Sequence, residues 1–459
     1  CASVFADNLG HVRHMTVAKN GTLYVNTWSG AYYADAAPPR GPFIVALRDQ
    51  DGNGKAEIAQ RFGPLASSGA TGGTGIQLHD GWLYVEDQDK IVRYHMGNEI
   101  VPRGVPEVIV SGLPMGGEHF MHQFVIDDKN NLFVNSGAKT NACEIVMRVV
   151  EPKVTNPCVD LEKTAGIWRF AADKTNQKFS PSMRYATGIR NIGGIRIASD
   201  GQLYVSQHGR DSLPQNWPKL YSIERGTELP SEELIAVKAG GDYGWPYCYY
   251  DGFEKKRVLA PEYGGGGEKV GMCASKEMPV ASFPSHWAPN DLTFYDGNQF
   301  PAAYRDGAFV AFHGSWNRAP KPQGGFKVVF QPLKNGKAAG PFKVFADGFA
   351  GSDNPDEKAY RPSGLAVASD GSLYVGDDTR GRIWRITYSG SKDVAVSAAP
   401  KPKYAKREAD DHGVASLPLP PNVTREELAL GARIFHGEKG GTCSGCHGAN
   451  GTGAGGFGP

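Results

Sequence analysis

The sequence has no run of ~18 apolar residues that would cross a bilayer as a helix, and its mean hydropathy is −0.39. It also lacks an excess of either charge: 49 Lys and Arg stand against 48 Asp and Glu, a net +1. That balance excludes the basic stripe of a nucleic-acid binder and gives no attraction toward an anionic membrane. No basic and apolar leader precedes Cys1, so no export signal is visible. Cys1 is expected to be a truncation point, because it runs directly into strand-like Ser3-Val4-Phe5-Ala6; a lipidated mature terminus is the alternative. Finally, no methionine follows Cys446.

What the sequence has in abundance is glycine, with 60 in 459 residues, nearly twice the usual ~7%. With 31 prolines, this favours a turn-rich β protein over a helical one. One unit recurs: an alternating apolar stretch, an Asp/Asn-Gly or similar turn, then Leu-Tyr-Val or a close variant. It runs from Met15 to Val25, Ile76 to Val85, Val125 to Val134, Ile195 to Val205 and Leu365 to Val375. A looser sixth copy, Leu292-Thr293-Phe294-Tyr295-Asp296-Gly297, reaches Phe309-Val310-Ala311-Phe312 after an insertion. Such a turn between alternating runs signals a hairpin of type I′, with positive φ at both centres. Six hairpins predict an all-β, six-bladed propeller over residues 1–390. A sandwich would not explain six near-identical hairpins.

After Tyr388 the texture changes. Residues 391–421 are rich in Pro, Ala and Lys and are predicted to form a semi-rigid linker. Residues 422–459 open with a capping box, Thr424-Arg425-Glu426-Glu427, before an apolar-periodic segment. They then reach Cys443-Ser444-Gly445-Cys446-His447, the attachment pattern of a c-type haem. Cys443 and Cys446 would hold the porphyrin and His447 would ligate the iron. A zinc half-site or redox pair is the alternative, but zinc needs more ligands than one such pair supplies. With Pro459 twelve residues beyond His447 and no distal methionine, a truncated α-helical cytochrome segment is expected.

Of the seven cysteines, Cys143 with Cys158 and Cys248 with Cys273 are predicted to form local disulfides, four buried thiols being the alternative. Disulfides and haem attachment both point to the periplasm or another exported location.

A propeller binds ligands at one mouth of its axis, so scattered polar residues beside the hairpins are the candidates. Four groups stand out: Glu118-His119-Phe120-Met121-His122-Gln123; Gly188-Ile189-Arg190-Asn191; Gln207-His208-Gly209-Arg210-Asp211 with Glu232-Glu233 and Gly240-Gly241-Asp242-Tyr243-Gly244-Trp245-Pro246; and His313-Gly314-Ser315-Trp316-Asn317-Arg318 with Arg361. A histidine takes a hydroxyl proton near neutral pH. Arginines suit carboxylates. Glycine carbonyls and carboxylates are hard oxygen donors for calcium. Each residue also has a plain structural reading as a packed side chain or an ion pair.

In order and context, these groups resemble the soluble quinoprotein glucose/sorbosone dehydrogenase family, which uses pyrroloquinoline quinone (PQQ); the branch with a fused cytochrome looks closest. The resemblance covers residues 1–390 and rests on Arg190-Asn191, Glu233 and the Gly240–Pro246 run. It implies a six-bladed propeller with His119 as catalytic base and Arg190, Asn191, Arg318 and Arg361 facing PQQ. It implies that the carbonyls of Gly209 and Arg210 hold calcium, with Glu233 and Tyr243 as a further calcium-associated pair. The implied reaction is oxidation of a sugar or related aldehyde by hydride transfer to PQQ, with electrons passing through haem c to a respiratory acceptor. This chain departs from the family at two points. Ala138 stands where members carry an Asp that steadies the base, so another group must orient His119. The PQQ-binding Lys has no match around 296–306. Two other classes fit a propeller: a lectin- or NHL-like binding module, and a calcium-dependent lactonase.

Overall fold

A strand whose side chains alternate between two apolar faces must bury both, and a sheet of such strands needs a packed neighbour on each side. The repeats obey this rule. The structure, a computed structural model, describes residues 1–27, 29–30, 41–65, 70–71, 73–319, 321–351, 359–392, 419, 421 and 423–435. Five blades follow in chain order, each an antiparallel sheet. Blade one comprises Val12–Val17, Leu23–Thr27, Pro42–Arg48 and Ile58–Leu65. Blade two comprises Ile76–His79, Trp82–Asp87, Lys90–His95 and Glu107–Ser111, and blade three Phe124–Ile126, Asn131–Ser136, Gly166–Ala171 and Arg184–Thr187. Blade four comprises Ile192–Ile197, Leu203–Gln207, Glu232–Val237 and Ala281–Phe283, and blade five Pro289–Phe294, Gly307–Phe312, Lys327–Lys334 and Lys343–Ala346. Blade six takes Pro362–Val367, Leu373–Asp377 and Ile383–Ile386 from the end of the propeller. Its outermost strand, Ala2–Ala6, comes from the beginning and pairs Ser3 with Arg385. The ring is thus closed by main-chain hydrogen bonds between its two ends.

Each joint between blades is filled by its own apolar cluster. Leu23 and Val25 pack toward blade six, whereas Tyr24 between them packs toward blade two. Leu203 and Val205 face blade three and Tyr204 faces blade five. Phe309 and Ala311 face blade six, Val310 and Phe312 blade four. The looser sixth copy is therefore a true blade, with Thr293 opposite Phe309.

The hairpin turns refine the sequence expectation. Asp80 and Gly81 both have positive φ, as type I′ requires. At 20–21, 200–201 and 370–371 only the glycine does. There the Asx side chain instead accepts the N–H two residues on, at 3.1 Å for Asn20 to Thr22, 3.0 Å for Asp200 to Gln202 and 2.9 Å for Asp370 to Ser372. These are longer loops closing on a left-handed glycine.

Because strands alternate in direction, the hairpins lie at one end of the ring. Connections between blades, and between the second and third strand of each blade, lie at the other. The second-to-third-strand connections of blades three and four carry long insertions. The first holds the disulfide Cys143–Cys158, and the second the short helices Leu213–Asn216 and Ile223–Thr227. A further insertion, 238–280, holds the hairpin Cys248–Asp251/Lys256–Leu259 and the disulfide Cys248–Cys273. Both predicted disulfides are present.

Helix Arg425–Phe435 starts where the capping box places it. Thr424 Oγ1 accepts from Glu427 N at 3.2 Å, and Glu427 Oε2 accepts from Thr424 N at 2.9 Å. Most of the predicted linker, and all of Cys443, Cys446 and His447, lie outside the described residues. Among the described residues, no helix is long and apolar enough to cross a membrane.

Phe309 is fully buried, its ring 4.6 Å from Phe345 and 5.1 Å from Phe330. Phe309→Ala should cost about 3–5 kcal/mol of unfolding free energy in denaturant titration, because the close-packed joint cannot collapse around the cavity.

Candidate functional site

The mouth of the ring gathers the polar ends of the inner strands. Arg190 closes the connection into blade four and is 3% exposed. A buried guanidinium needs acceptors for its donors. It finds them on the two insertions. Nε donates to Asn141 O at 3.2 Å, Nη1 to Gly209 O at 2.9 Å, and Nη2 to Asn141 Oδ1 at 3.0 Å and Asp211 Oδ2 at 2.9 Å. One Nη1 hydrogen is left uncommitted. Asp211 in turn accepts from Asn317 Nδ2 at 2.7 Å and lies 3.7 Å from His286. Burial alone would raise its pKa, but the Arg190 and His286 charges outweigh that and hold the carboxyl well below its usual range.

His119 is 9% exposed, with Nδ1 2.8 Å from Ala138 O. A carbonyl only accepts, so Nδ1 carries the proton and Nε2 presents a bare lone pair. Burial, reinforced by the nearby Arg190 charge, pushes the pKa of His119 well down, so the ring is neutral and basic at Nε2 throughout the neutral range. Ala138 also donates its N–H to Arg190 O at 2.7 Å. One peptide unit away from any side chain thus ties the base to the arginine. Gly137 permits the approach: a Cβ there would stand 2.5 Å from His119 O. The group that replaces the expected Asp is the main-chain carbonyl of Ala138 itself.

Across the mouth, His208 Nε2 lies 3.2 Å from Pro289 O, and its pKa is pushed down to about 3 by burial and then by Arg190. His313 Nε2 donates to Asp378 Oδ1 at 2.8 Å, while Asp378 Oδ2 accepts from Arg13 Nη1 at 2.5 Å. Arg361 Nη1 donates to Gly314 O at 3.0 Å and lies 3.4 Å from His313 Nδ1. The mouth is therefore lined by Arg190, Arg13 and Arg361 with two internal carboxylates, Asp211 and Asp378. Asn191 completes it: its carbonyl accepts from His208 N at 2.9 Å.

The sequence-predicted residues divide on these contacts. His119, Arg190, Asn191, Gly209 and Arg361 come together at the mouth. Arg318 does not join them. Its guanidinium staples blade five to the blade-four insertion, donating to Thr227 O and Ser285 O at 2.8 Å, Pro322 O at 3.3 Å and Glu228 Oε1 at 3.2 Å. Arg210 follows Gly209, with its side chain paired to buried Glu262 at 2.6 Å. The further metal pair is also corrected. Tyr243 donates its hydroxyl to Ala236 O at 3.0 Å and accepts from Lys238 N at 2.9 Å. Both oxygens of Glu233 are held by Arg257, at 2.6 and 3.2 Å. Asn141, Asp211, Arg13 and Asp378 had no assigned role in the sequence reading. Asp211 and Asp378 stand directly after motif residues, which is the one signal available for them.

Residues 1–389 match the TrAA12-like family. A PQQ-dependent pyranose dehydrogenase from Coprinopsis cinerea is 35% identical over 235 residues, 43% of this chain and 30% of its own length. An uncharacterized protein of Borreliella burgdorferi is 27% identical over 327 residues, 68% of this chain and 75% of its own. The holo PQQ domain of the Coprinopsis enzyme superposes with a TM-score of 0.65 at 20% identity, covering 84% of this chain and 95% of that one. The calcium structure of the Trichoderma reesei family AA12 carbohydrate-active enzyme gives 0.67 at 17% identity, covering 85% and 95%. At these identities the structural likeness establishes the propeller.

The His208 environment yields a pH prediction. Its folded pKa lies below the unfolded 6.5, so below pH 6.5 the unfolded chain takes a proton that the native site refuses. Stability is then lost as pH falls. Relative to His208→Gln, the native protein should lose about 1.4 kcal/mol per pH unit from 6.5 down toward 4, in denaturant titrations at successive pH values.

Propeller, insertions and family match agree, and the chain belongs to the TrAA12-like family, among the relatives and fold of the PQQ-dependent sugar dehydrogenases.

Proposed function

We propose that this propeller oxidises a sugar, or a related aldehyde or alcohol, using PQQ and calcium at its mouth, and passes the electrons to a c-type haem at Cys443, Cys446 and His447. The observation that carries the reading is His119: a buried imidazole with a bare Nε2, fixed through Ala138 to a guanidinium that has one donor left over. The residues present suit the quinone. PQQ is a tricarboxylate, and Arg190, Arg361 and Arg13 give the mouth more cationic than anionic side chains, with the Asn191 amide beside them. The carbonyls of Gly209 and Arg210 are hard donors for calcium, although Gly209 already shares one lone pair with Arg190.

When bound, PQQ supplies an electrophilic quinone carbonyl for a hydride, and calcium polarises it. The chain supplies the rest. His119 Nε2 takes the proton of the substrate hydroxyl, and its depressed pKa keeps it ready to do so at neutral pH. Arg190, locked by Asn141, Gly209 and Asp211, is a preorganised positive charge that need not reorient as negative charge develops nearby. Burial of both excludes water and strengthens that field. A two-electron oxidation feeding a one-electron carrier fits the pairing with haem, and haem attachment with two disulfides fits an exported, periplasmic protein.

Purified protein given PQQ and Ca²⁺ should reduce dye in the presence of one or more aldoses, aldehydes or alcohols. His119→Gln should lower kcat by 10²–10⁴-fold, the usual worth of a general base, while PQQ stays bound. Near-normal turnover in that variant would remove His119 from the role. No reduction across a broad substrate panel would leave the lactonase or binding-module reading. Cys443→Ser/Cys446→Ser should abolish the haemochrome spectrum and leave dye reduction intact; an unchanged spectrum would rule out covalent haem at these residues.

A further inference from the structure

A buried carboxylate inside a protein needs a cation or several donors. Glu233, 3% exposed on the third strand of blade four, has both, and the cation is part of the chain. Arg257, on the inserted hairpin, reaches it with two nitrogens, Nη2 to Oε2 at 2.6 Å and Nη1 to Oε1 at 3.2 Å. Its Nε donates to the Glu277 carbonyl at 2.6 Å, and its guanidinium carbon lies 5.8 Å from the Tyr250 ring centroid. Three hard oxygens, two carboxylate and one carbonyl, thus surround one fully buried positive charge. This is the donor chemistry a calcium ion takes, with a guanidinium at its centre.

We propose that Arg257 is a covalently built-in substitute for a metal ion at Glu233, so that this position binds no calcium and braces the mouth without one. The planar fork of arginine matches a carboxylate in two parallel bonds, so it can fill the position with fixed geometry. The brace continues to the site. Glu233 Oε1 also accepts from Gln207 Nε2 at 2.7 Å, and Gln207 Oε1 accepts the backbone N–H of Arg190 at 3.0 Å. Arg257 is in this sense a positioning residue: it sets Glu233, which sets Gln207, which holds the main chain of Arg190. A second cation beside Glu233 would also face Arg210, which is buried and lines the same small cavity. The inference concerns this cage alone and stands whether or not the mouth performs quinone chemistry.

The test counts calcium on metal-depleted, PQQ-free chain by equilibrium dialysis, comparing the native protein with Glu233→Gln and Arg257→Met, after circular dichroism shows each folded. The expected result is an unchanged count in Glu233→Gln. In Arg257→Met, which vacates the cage, one additional calcium per chain is expected, with a calcium-dependent rise in Tm larger than in the native protein. Loss of one calcium in Glu233→Gln, or no gain in folded Arg257→Met, overturns the proposal. If neither variant folds, crystals of the native protein soaked in calcium decide: an ion ligated by Glu233 with Arg257 displaced overturns it, and an intact Arg257–Glu233 pair supports it. Absence of calcium from the mouth would lower the count equally in native protein and Glu233→Gln, so failure of the oxidoreductase reading leaves this comparison intact.

Discussion

Every blade of this ring buries both of its faces, and that requirement governs the rest. A sheet packed on one side only would leave a row of Leu, Val, Phe and Tyr side chains in water. All six joints must therefore be filled, which is possible only if the last sheet meets the first. The pairing of Ala2–Ala6 with Ile383–Ile386 completes that contact, and the Phe5, Tyr374 and Val25 cluster fills the joint it creates. Closure converts six locally similar hairpins into one frame whose inner strand ends all point at the same axis.

The frame decides where polarity is placed. Strand ends at the axis carry backbone groups and side chains that cannot reach bulk water, so they satisfy one another. Glu86 accepts the N–H groups of Thr74, Gly75 and His122. Asp378 serves Arg13 and His313, and Asp211 serves Arg190 and Asn317. Insertions from blades three and four then roof the mouth, and Asn141 and Gly209 on them complete the cradle of Arg190. The low polarity around these groups gives the site its chemical character: imidazoles that stay neutral and a guanidinium whose charge is little screened.

The ring itself was legible because hairpin periodicity is local. Alternation of apolar residues around each turn reports strand, turn and the two buried faces within about twelve residues. The looser copy at Leu292 was recognisable for the same reason. His119, Arg190 and Asn191 were legible through their position just ahead of blade strands. Arg318 and Glu233 were not, because what they touch is decided by segments far along the chain: helix Ile223–Thr227 for the first, and Arg257 on an inserted hairpin for the second. Arg13 and Asp378 meet only because blade six closes on blade one, and spacing in the sequence carries no trace of that encounter.

Ala138 occupies the point where a side chain was expected to steady the base, and its peptide group does the work through both of its polar atoms. A contact made by the main chain is indifferent to the identity of the residue that provides it. Drift at position 138 among small residues would leave the imidazole tautomer untouched, while a bulkier side chain would be excluded by burial and not by chemistry. A search for relatives that insists on an acidic partner for the histidine would pass over this chain, and over any others that have moved the same function into the backbone.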